Sequence, residues 1–325
     1  MKLGVVGAGA WGTALAQLAA AGGAEVPIWA REAEVVAAIN ATHANPLFLP
    51  GIALSPMVRA TGDLADLGGC DALLLVTPAQ HLRSVLLAVP PGPALILCAK
   101  GIEAGTGMLM SDIVAQLCPG RPLAVLSGPT FAHEVAAGLP TAVTLACADP
   151  ALGQALAQRL AGPAFRPYLS ADVIGAEIGG AVKNVLAIAC GVVEGRGLGL
   201  NARAALISRG FAEMTRFGLA RGAERETLAG LSGLGDLVLT CSSTSSRNFA
   251  LGKAIGEGRP AAALMADRRT VAEGAFTAPV LQQAARAIGV DMPVVDAVCA
   301  LLAEGADVGA VTATLLARPL RAEGA

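Results

Sequence analysis

Aromatic side chains are scarce in this 325-residue sequence: seven Phe, two Trp and one Tyr, or 3% of the chain. So few flat faces give no platform for stacking nucleic-acid bases. A charge excess of one sign is lacking too. The 23 Lys and Arg nearly cancel the 25 Asp and Glu, leaving a net charge of −2, so no basic field draws a polyanion. There are only three histidines, His43, His81 and His133, and they lie far apart. His133-Glu134 is followed by Val135-Ala136-Ala137, so the second histidine of the zinc pattern H-E-x-x-H is missing and no metal site is expected. The seven cysteines are odd in number and widely spaced, with no C-x-x-C. That usage fits reduced thiols, most of them small core residues, in a cytoplasmic protein.

What remains is strongly apolar. Hydrophobic residues make up 54% and charged residues 15%, enough to bury a large core and to exclude disorder. The length suggests about two domains. Leu3 to Ala24 carries no charge, yet Gly4, Gly7, Gly9, Gly12, Gly22 and Gly23 fall within it. Glycine is a poor helix former, so neither a signal peptide nor a membrane span is expected there. Lys183 interrupts the next most apolar stretch, and no integral membrane segment is expected.

Up to residue 168 the chain alternates short apolar runs with helical segments. Leu3–Val6, Val26–Trp29, Ala72–Val76, Ala94–Ala99, Leu123–Leu126 and Ala142–Ala146 read as buried strands. Segments such as Thr13–Ala21 and Ala79–Ala88 read as the helices between them. Strand-helix-strand repetition predicts parallel pairing with helices on both faces, an α/β Rossmann domain over 1–168. After Tyr168 the segments lengthen, as in Val173–Val193 and Ala202–Leu219, and turn rich in Ala and Leu. This predicts an all-α C-terminal domain over 169–325.

Gly7-Ala8-Gly9-Ala10-Trp11-Gly12 is G-x-G-x-x-G. Alone it is weak, but it follows an expected strand and opens an expected helix, the context of a dinucleotide site. Gly7 permits the tight turn, Gly9 lets the backbone approach a pyrophosphate, and Gly12 lets helix and strand pack closely. The next strand ends at Trp29-Ala30-Arg31. An arginine at that place accommodates a 2′-phosphate, whereas NAD sites usually carry an acid. NADP is therefore favoured, with NAD left open by Glu32 and Glu34.

Isolated charges mark further candidates. Lys100, the only charge between Arg83 and Glu103, ends one strand, as Thr77-Pro78 ends another. Ser127-Gly128-Pro129-Thr130 ends a third before a helix, where N–H and hydroxyl donors could meet a ligand. Lys183 is the only charge from Ile178 to Val193. A buried lysine needs a partner, and desolvation suits it to proton transfer; the plainer alternative is a snorkelling side chain. Asp236, within Gly233-Leu234-Gly235-Asp236, is the only charge from Thr227 to Ser246, and could be no more than a helix cap. Arg247-Asn248 follow a Cys-Ser-Ser-Thr-Ser-Ser run, placing a guanidinium that can fork onto phosphate beside hydroxyls.

Together these blocks resemble the bacterial NAD(P)-dependent glycerol-3-phosphate dehydrogenases. The likeness runs through G-A-G-A-W-G-T-A (7–14), N-P-L-F-L-P-G-I (45–52), C-A-K-G-I-E (98–103) and L-S-G-P-T-F-A (126–132). It continues in K-N-V-L-A-I (183–188), L-S-G-L-G-D-L-V-L-T-C (231–241), S-R-N (246–248) and V-A-E-G-A-F-T-A (271–278). The resemblance implies a helical second domain like that of 6-phosphogluconate dehydrogenase. It also implies interconversion of dihydroxyacetone phosphate and glycerol 3-phosphate, with the product feeding phospholipid synthesis. By the same resemblance, Ala10, Trp11, Arg31, Phe48, Ala132, Val271 and Glu273 would lie by the cofactor, and Lys100 and Arg247 by both cofactor and substrate. Gly128, Thr130, Asp236, Ser246 and Asn248 would touch substrate, and Lys183 would give and take the proton. Thr130 stands where the family more often has serine, and Phe48 where tyrosine is equally common.

Two other readings stay open on sequence alone. One is a 3-hydroxyacid dehydrogenase of related architecture, which Lys183-Asn184 would also suit. The other is a non-catalytic dinucleotide-binding regulator, which would need the glycine fingerprint but not Lys100, Lys183 and Asp236 together. A homodimer is the usual arrangement for such enzymes.

Overall fold

The structure, a computed structural model, describes residues 1–266, 272–303 and 306–317. It divides into two compact units, one of Met1–Lys100 with Met108–Ala176, the other of Gly101–Gly107 with Glu177–Ala325.

The first unit carries β1 (Leu3–Val6), β2 (Val26–Trp29), β3 (Ala44–Asn45), β4 (Leu49–Ala53) and β5 (Val58–Thr61). These are followed by β6 (Ala72–Leu75), β7 (Ala94–Leu97), β8 (Leu123–Ser127), β9 (Thr141–Ala146) and β10 (Phe165–Ser170). One eight-stranded sheet runs in the order β10-β9-β8-β7-β6-β1-β2-β5, and β3 pairs with β4 in a separate hairpin. Successive residues of the central strands enter opposite cores. Leu3, Val5, Ala72, Leu74 and Ile96 pack on one face, while Val6, Leu73, Leu75, Leu95 and Leu97 pack on the other. Burial on both faces explains why these strands read as unbroken apolar runs rather than alternating ones.

Pairing is parallel throughout this sheet except between β8 and β9, which run antiparallel with Leu126 opposite Leu145. The expectation of parallel pairing from strand-helix-strand order fails there. Only α5 (Ala132–Ala136), below, forms between the two strands, and five residues of helix rise about 7.5 Å. That is too short to carry the chain back along a five-residue strand and start a parallel neighbour.

The helices of this unit are α1 (Ala10–Ala20), α2 (Ala33–Thr42), α3 (Leu82–Leu86), α4 (Met110–Leu117), α5 and α6 (Pro150–Leu160). The helix expected over 79–88 is shorter: a 3₁₀ turn at Ala79–His81 leads into α3. Asp149 caps α6 through the N–H groups of Ala151 and Leu152, with Pro150 in the first turn, the usual signs of a helix start.

No strand follows Ser170 among the described residues. The chain continues as α7 (Val173–Gly195), α8 (Gly199–Ala220), α9 (Arg225–Ala229), α10 (Asp236–Thr240) and α11 (Arg247–Gly256). Then come α12 (Ala261–Met265), α13 (Glu273–Ala287), α14 (Pro293–Ala303) and α15 (Val308–Leu316). By length and composition α7 could cross a membrane, but 83% of its most apolar window is buried inside the protein. It is the core helix of the second unit. Its neighbours approach to backbone contact: a Cβ on Gly179 would overlap the Ser232 carbonyl, and one on Gly252 of α11 would overlap that of Ile188. Only glycine lets the chain pass so close.

Candidate functional site

The first cluster lies at the carboxyl ends of the strands in the first unit. Going outward from β1, the chain order reverses between β1 and β6, the switch point where open α/β sheets bind ligands. The glycine turn sits there. Gly7 takes φ +110° and donates to the Trp29 carbonyl at 3.0 Å. A Cβ on Gly12 would overlap the Gly7 carbonyl oxygen. Gly9, by contrast, has nothing within 4 Å of where a Cβ would stand. It precedes α1 without any side-chain cap. The N–H groups at the start of α1 thus border open space, as an approaching anion requires.

Three polar atoms near these strand ends support the same reading. Trp11 Nε1, Thr77 Oγ1 and Ser127 Oγ are buried and have no hydrogen-bond partner. Buried donors are rarely left so, and an oxygen-rich ligand would complete them. The residues present therefore fit a dinucleotide. Phe48, just over a third exposed, lies on the β3–β4 hairpin, which Asn45 ties to the glycine turn. Ala132 begins α5 and packs with Trp11 against the same core. Arg31 follows β2, exposed, its guanidinium 2.9 Å from Glu32.

Lys100, Gly128 and Thr130 converge on one atom. Lys100 Nζ and Thr130 Oγ1 each donate to the Gly128 carbonyl at 3.2 Å. A Cβ on Gly128 would stand 2.9 Å from Val143 Cα, so β9 presses this turn into place. Nearby Cys98 is inert: burial pushes its thiol up to about 12, against the opposing pull of Lys100, so no thiolate nucleophile forms there.

The second unit holds the other cluster. Lys183 on α7 and Asp236 at the start of α10 are both buried, with Nζ 2.6 Å from Oδ1. Thr240, one turn along α10, accepts from Lys183 Nζ at 3.0 Å and donates to Asp236 Oδ1 at 3.3 Å. The residues before Asp236, Leu231–Gly235, form one π-helical turn, a distortion frequent at functional sites. Asp236 is thus no mere cap. Beside Lys183, Asn184 Oδ1 accepts from Asn248 Nδ2 at 3.0 Å, and Asn248 Oδ1 accepts from Gly274 N at 2.9 Å. This links α7, α11 and the start of α13, where half-buried Glu273 stands. Ser246 caps α11 through Phe249 N at 3.3 Å, and Arg247 opens that helix, exposed. Val271 lies outside the described residues.

Sequence reasoning missed Thr240, which looks like any helical threonine until Lys183 is placed. It also missed Glu213, buried on α8 and accepting from Val294 N at 2.8 Å and Val295 N at 3.3 Å. Burial raises its carboxyl to about 7, against the two N–H groups and Arg216 and with help from Asp291. Its single charge near Arg209 and Arg216 gave no sign of that depth.

Comparison with known proteins gives the family of the whole chain. Family models described as the N-terminus and C-terminus of NAD-dependent glycerol-3-phosphate dehydrogenase match residues 2–153 and 172–313. The chain is 68% identical to the glycerol-3-phosphate dehydrogenase [NAD(P)+] 1 of Sphingopyxis alaskensis, over 99% of this chain and 98% of that one. It is 66% identical to the enzyme of Erythrobacter litoralis, over the same shares. The crystal structure of glycerol-3-phosphate dehydrogenase from Coxiella burnetii superposes with a TM-score of 0.93 at 38% identity, covering 98% of this chain and 99% of that one.

Proposed function

This chain belongs to the NAD-dependent glycerol-3-phosphate dehydrogenase family, and from that premise we propose that it interconverts dihydroxyacetone phosphate and sn-glycerol 3-phosphate. The observation that carries this reading is the buried triad of Lys183, Asp236 and Thr240. A buried ammonium held by one carboxylate and one hydroxyl is a positioned proton donor.

We assign dinucleotide binding to residues 1–168 and substrate chemistry to residues 169–325. Gly7, Gly9, Ala10, Trp11, Gly12, Phe48 and Ala132 hold the cofactor, with Lys100, Arg247, Val271 and Glu273. Arg31 receives a 2′-phosphate, which makes NADPH the preferred form. When bound, the nicotinamide supplies hydride to C2 of dihydroxyacetone phosphate. Negative charge then develops on the carbonyl oxygen, and Lys183 donates a proton to it from Nζ. Asp236 keeps that ammonium charged and fixes its direction, with Thr240 as a second anchor. Lys100 stabilises the developing charge electrostatically. Arg247, at the start of α11, and Ser246 bind the phosphate, a good partner for a guanidinium at a helix N-terminus. Asn248, Gly128 and Thr130 orient the rest of the substrate. Binding energy from the phosphate is thereby used to align the ketone.

The product, a phosphorylated glycerol, would supply phospholipid synthesis from the cytoplasm, with the enzyme working as a homodimer. The test is a substrate panel: dihydroxyacetone phosphate, neutral dihydroxyacetone and 3-oxo acids, each with NADPH and NADH. Selective turnover of the phosphorylated ketone is expected. Preference for a 3-oxo acid, or cofactor binding with no turnover of any ketone, would overturn the assignment.

A further inference from the structure

The β3–β4 hairpin contributes one side chain to the glycine turn that none of the fingerprint residues supplies. Asn45 is 1% exposed. Its Nδ2 donates to the Ala8 carbonyl and to Thr13 Oγ1, both at 2.8 Å, and its Oδ1 accepts from Phe48 N at 3.2 Å. Thr13 Oγ1 in turn donates to the same Ala8 carbonyl at 3.2 Å. Ala8 stands between Gly7 and Gly9, and Thr13 N closes the first turn of α1 on Gly9 at 2.9 Å.

We propose that Asn45 is a positioning residue for the dinucleotide: it holds the Ala8 carbonyl away from the ligand, fixing both the Gly7–Gly9 turn and the hairpin that presents Phe48. Turning that carbonyl outward would set a partial negative charge where a pyrophosphate must come. Gly9 has no side chain to resist such a rotation, and its surroundings are open. An external clasp is what removes the freedom. The chemistry selects asparagine. Two donors and an acceptor on one short side chain are required, and only a carboxamide offers them. Aspartate keeps the acceptor for Phe48 N but would repel the Ala8 oxygen. The end at Ala8 and Thr13 is buried, so each bond lost there leaves an unsatisfied group.

This inference rests on reading the glycine turn as a dinucleotide site, and its test separates the two. NADPH affinity is measured by fluorescence titration for the wild type, Asn45→Asp and Thr13→Val, beside steady-state kinetics and amide exchange of the unliganded proteins. The wild type binding NADPH upholds the site itself. Asn45→Asp is then expected to raise the dissociation constant and the cofactor KM about 10- to 100-fold. At saturating cofactor, kcat and the KM for dihydroxyacetone phosphate stay near wild type, and amides 7–12 exchange faster before any ligand is added. A merely structural role would lower the melting temperature and the active fraction but leave the cofactor KM unmoved. Should Asn45→Asp fail to fold, Thr13→Val carries the same test by removing the shared hydroxyl. Folded variants with wild-type affinity and wild-type exchange at 7–12 would overturn the proposal while leaving the dinucleotide site intact. A wild type that binds no NADPH would instead overturn the reading beneath it.

Discussion

Lys183 and Asp236, 53 residues apart in sequence, meet at 2.6 Å in the interior of the helical unit. Each is the sole charge in a long uncharged stretch, and each is the other's partner. Removing one leaves the other buried without its counter-charge. Asp236→Asn should therefore destabilise the protein by about 3–5 kcal/mol and also lower kcat, since the amide no longer holds the ammonium charged. Thermal denaturation beside steady-state kinetics checks this. A variant with wild-type melting and wild-type kcat would show that the pair carries neither load.

Arg247 is assigned to the substrate phosphate, remote from the reacting carbon. Arg247→Ala should raise the KM for dihydroxyacetone phosphate about 10- to 100-fold, the worth of a charged hydrogen bond. Turnover of neutral dihydroxyacetone should stay as poor as in the wild type. If the variant loses both substrates equally, the arginine serves something other than the phosphate.

Arg31 bears on the choice of cofactor. Its guanidinium is exposed and now rests on Glu32, an exchangeable surface pair of small net worth. Arg31→Ala should cost NADPH about 10- to 100-fold in kcat/KM and leave NADH within about threefold. Equal losses with both cofactors would remove the 2′-phosphate from its role.

Glu213 predicts a pH dependence of stability. Its folded pKa is raised from the ordinary 4.5 to about 7, so the folded state holds the proton more tightly than the unfolded state. The contribution is therefore full below pH 4.5 and declines as pH rises to about 7, by on the order of 3 kcal/mol. Replacing the group with a permanently neutral amide removes that slope, at the cost of one N–H contact on α14. The melting temperature of Glu213→Gln minus that of the wild type should thus rise by several degrees between pH 5 and pH 8. A difference that does not change with pH would contradict a raised carboxyl.

Much of this was legible in the sequence because the residues concerned are local signals. The glycine turn, the strands β1, β2 and β6 to β8, and the isolated lysines announce themselves by spacing or by contrast with apolar neighbours. Others depend on what lies opposite. Strand β10 contains Pro167 and exposes Arg166, Tyr168 and Leu169, features that a central strand would not tolerate but an edge strand does. The antiparallel turn of β9 follows from the shortness of α5 rather than from any residue in β9. Thr240 and Asn45 become functional only through partners 57 and 37 residues away, distances at which periodicity carries no information.

The most direct test of the account is Lys183→Ala, with kcat and the NADPH dissociation constant measured on the same preparation. General acid catalysis is worth about 10²–10⁴-fold, so kcat for dihydroxyacetone phosphate should fall at least 100-fold while cofactor affinity stays within about twofold. Near-normal turnover by the folded variant would contradict Lys183 as the proton donor, and with it the reading of the buried triad as the catalytic centre.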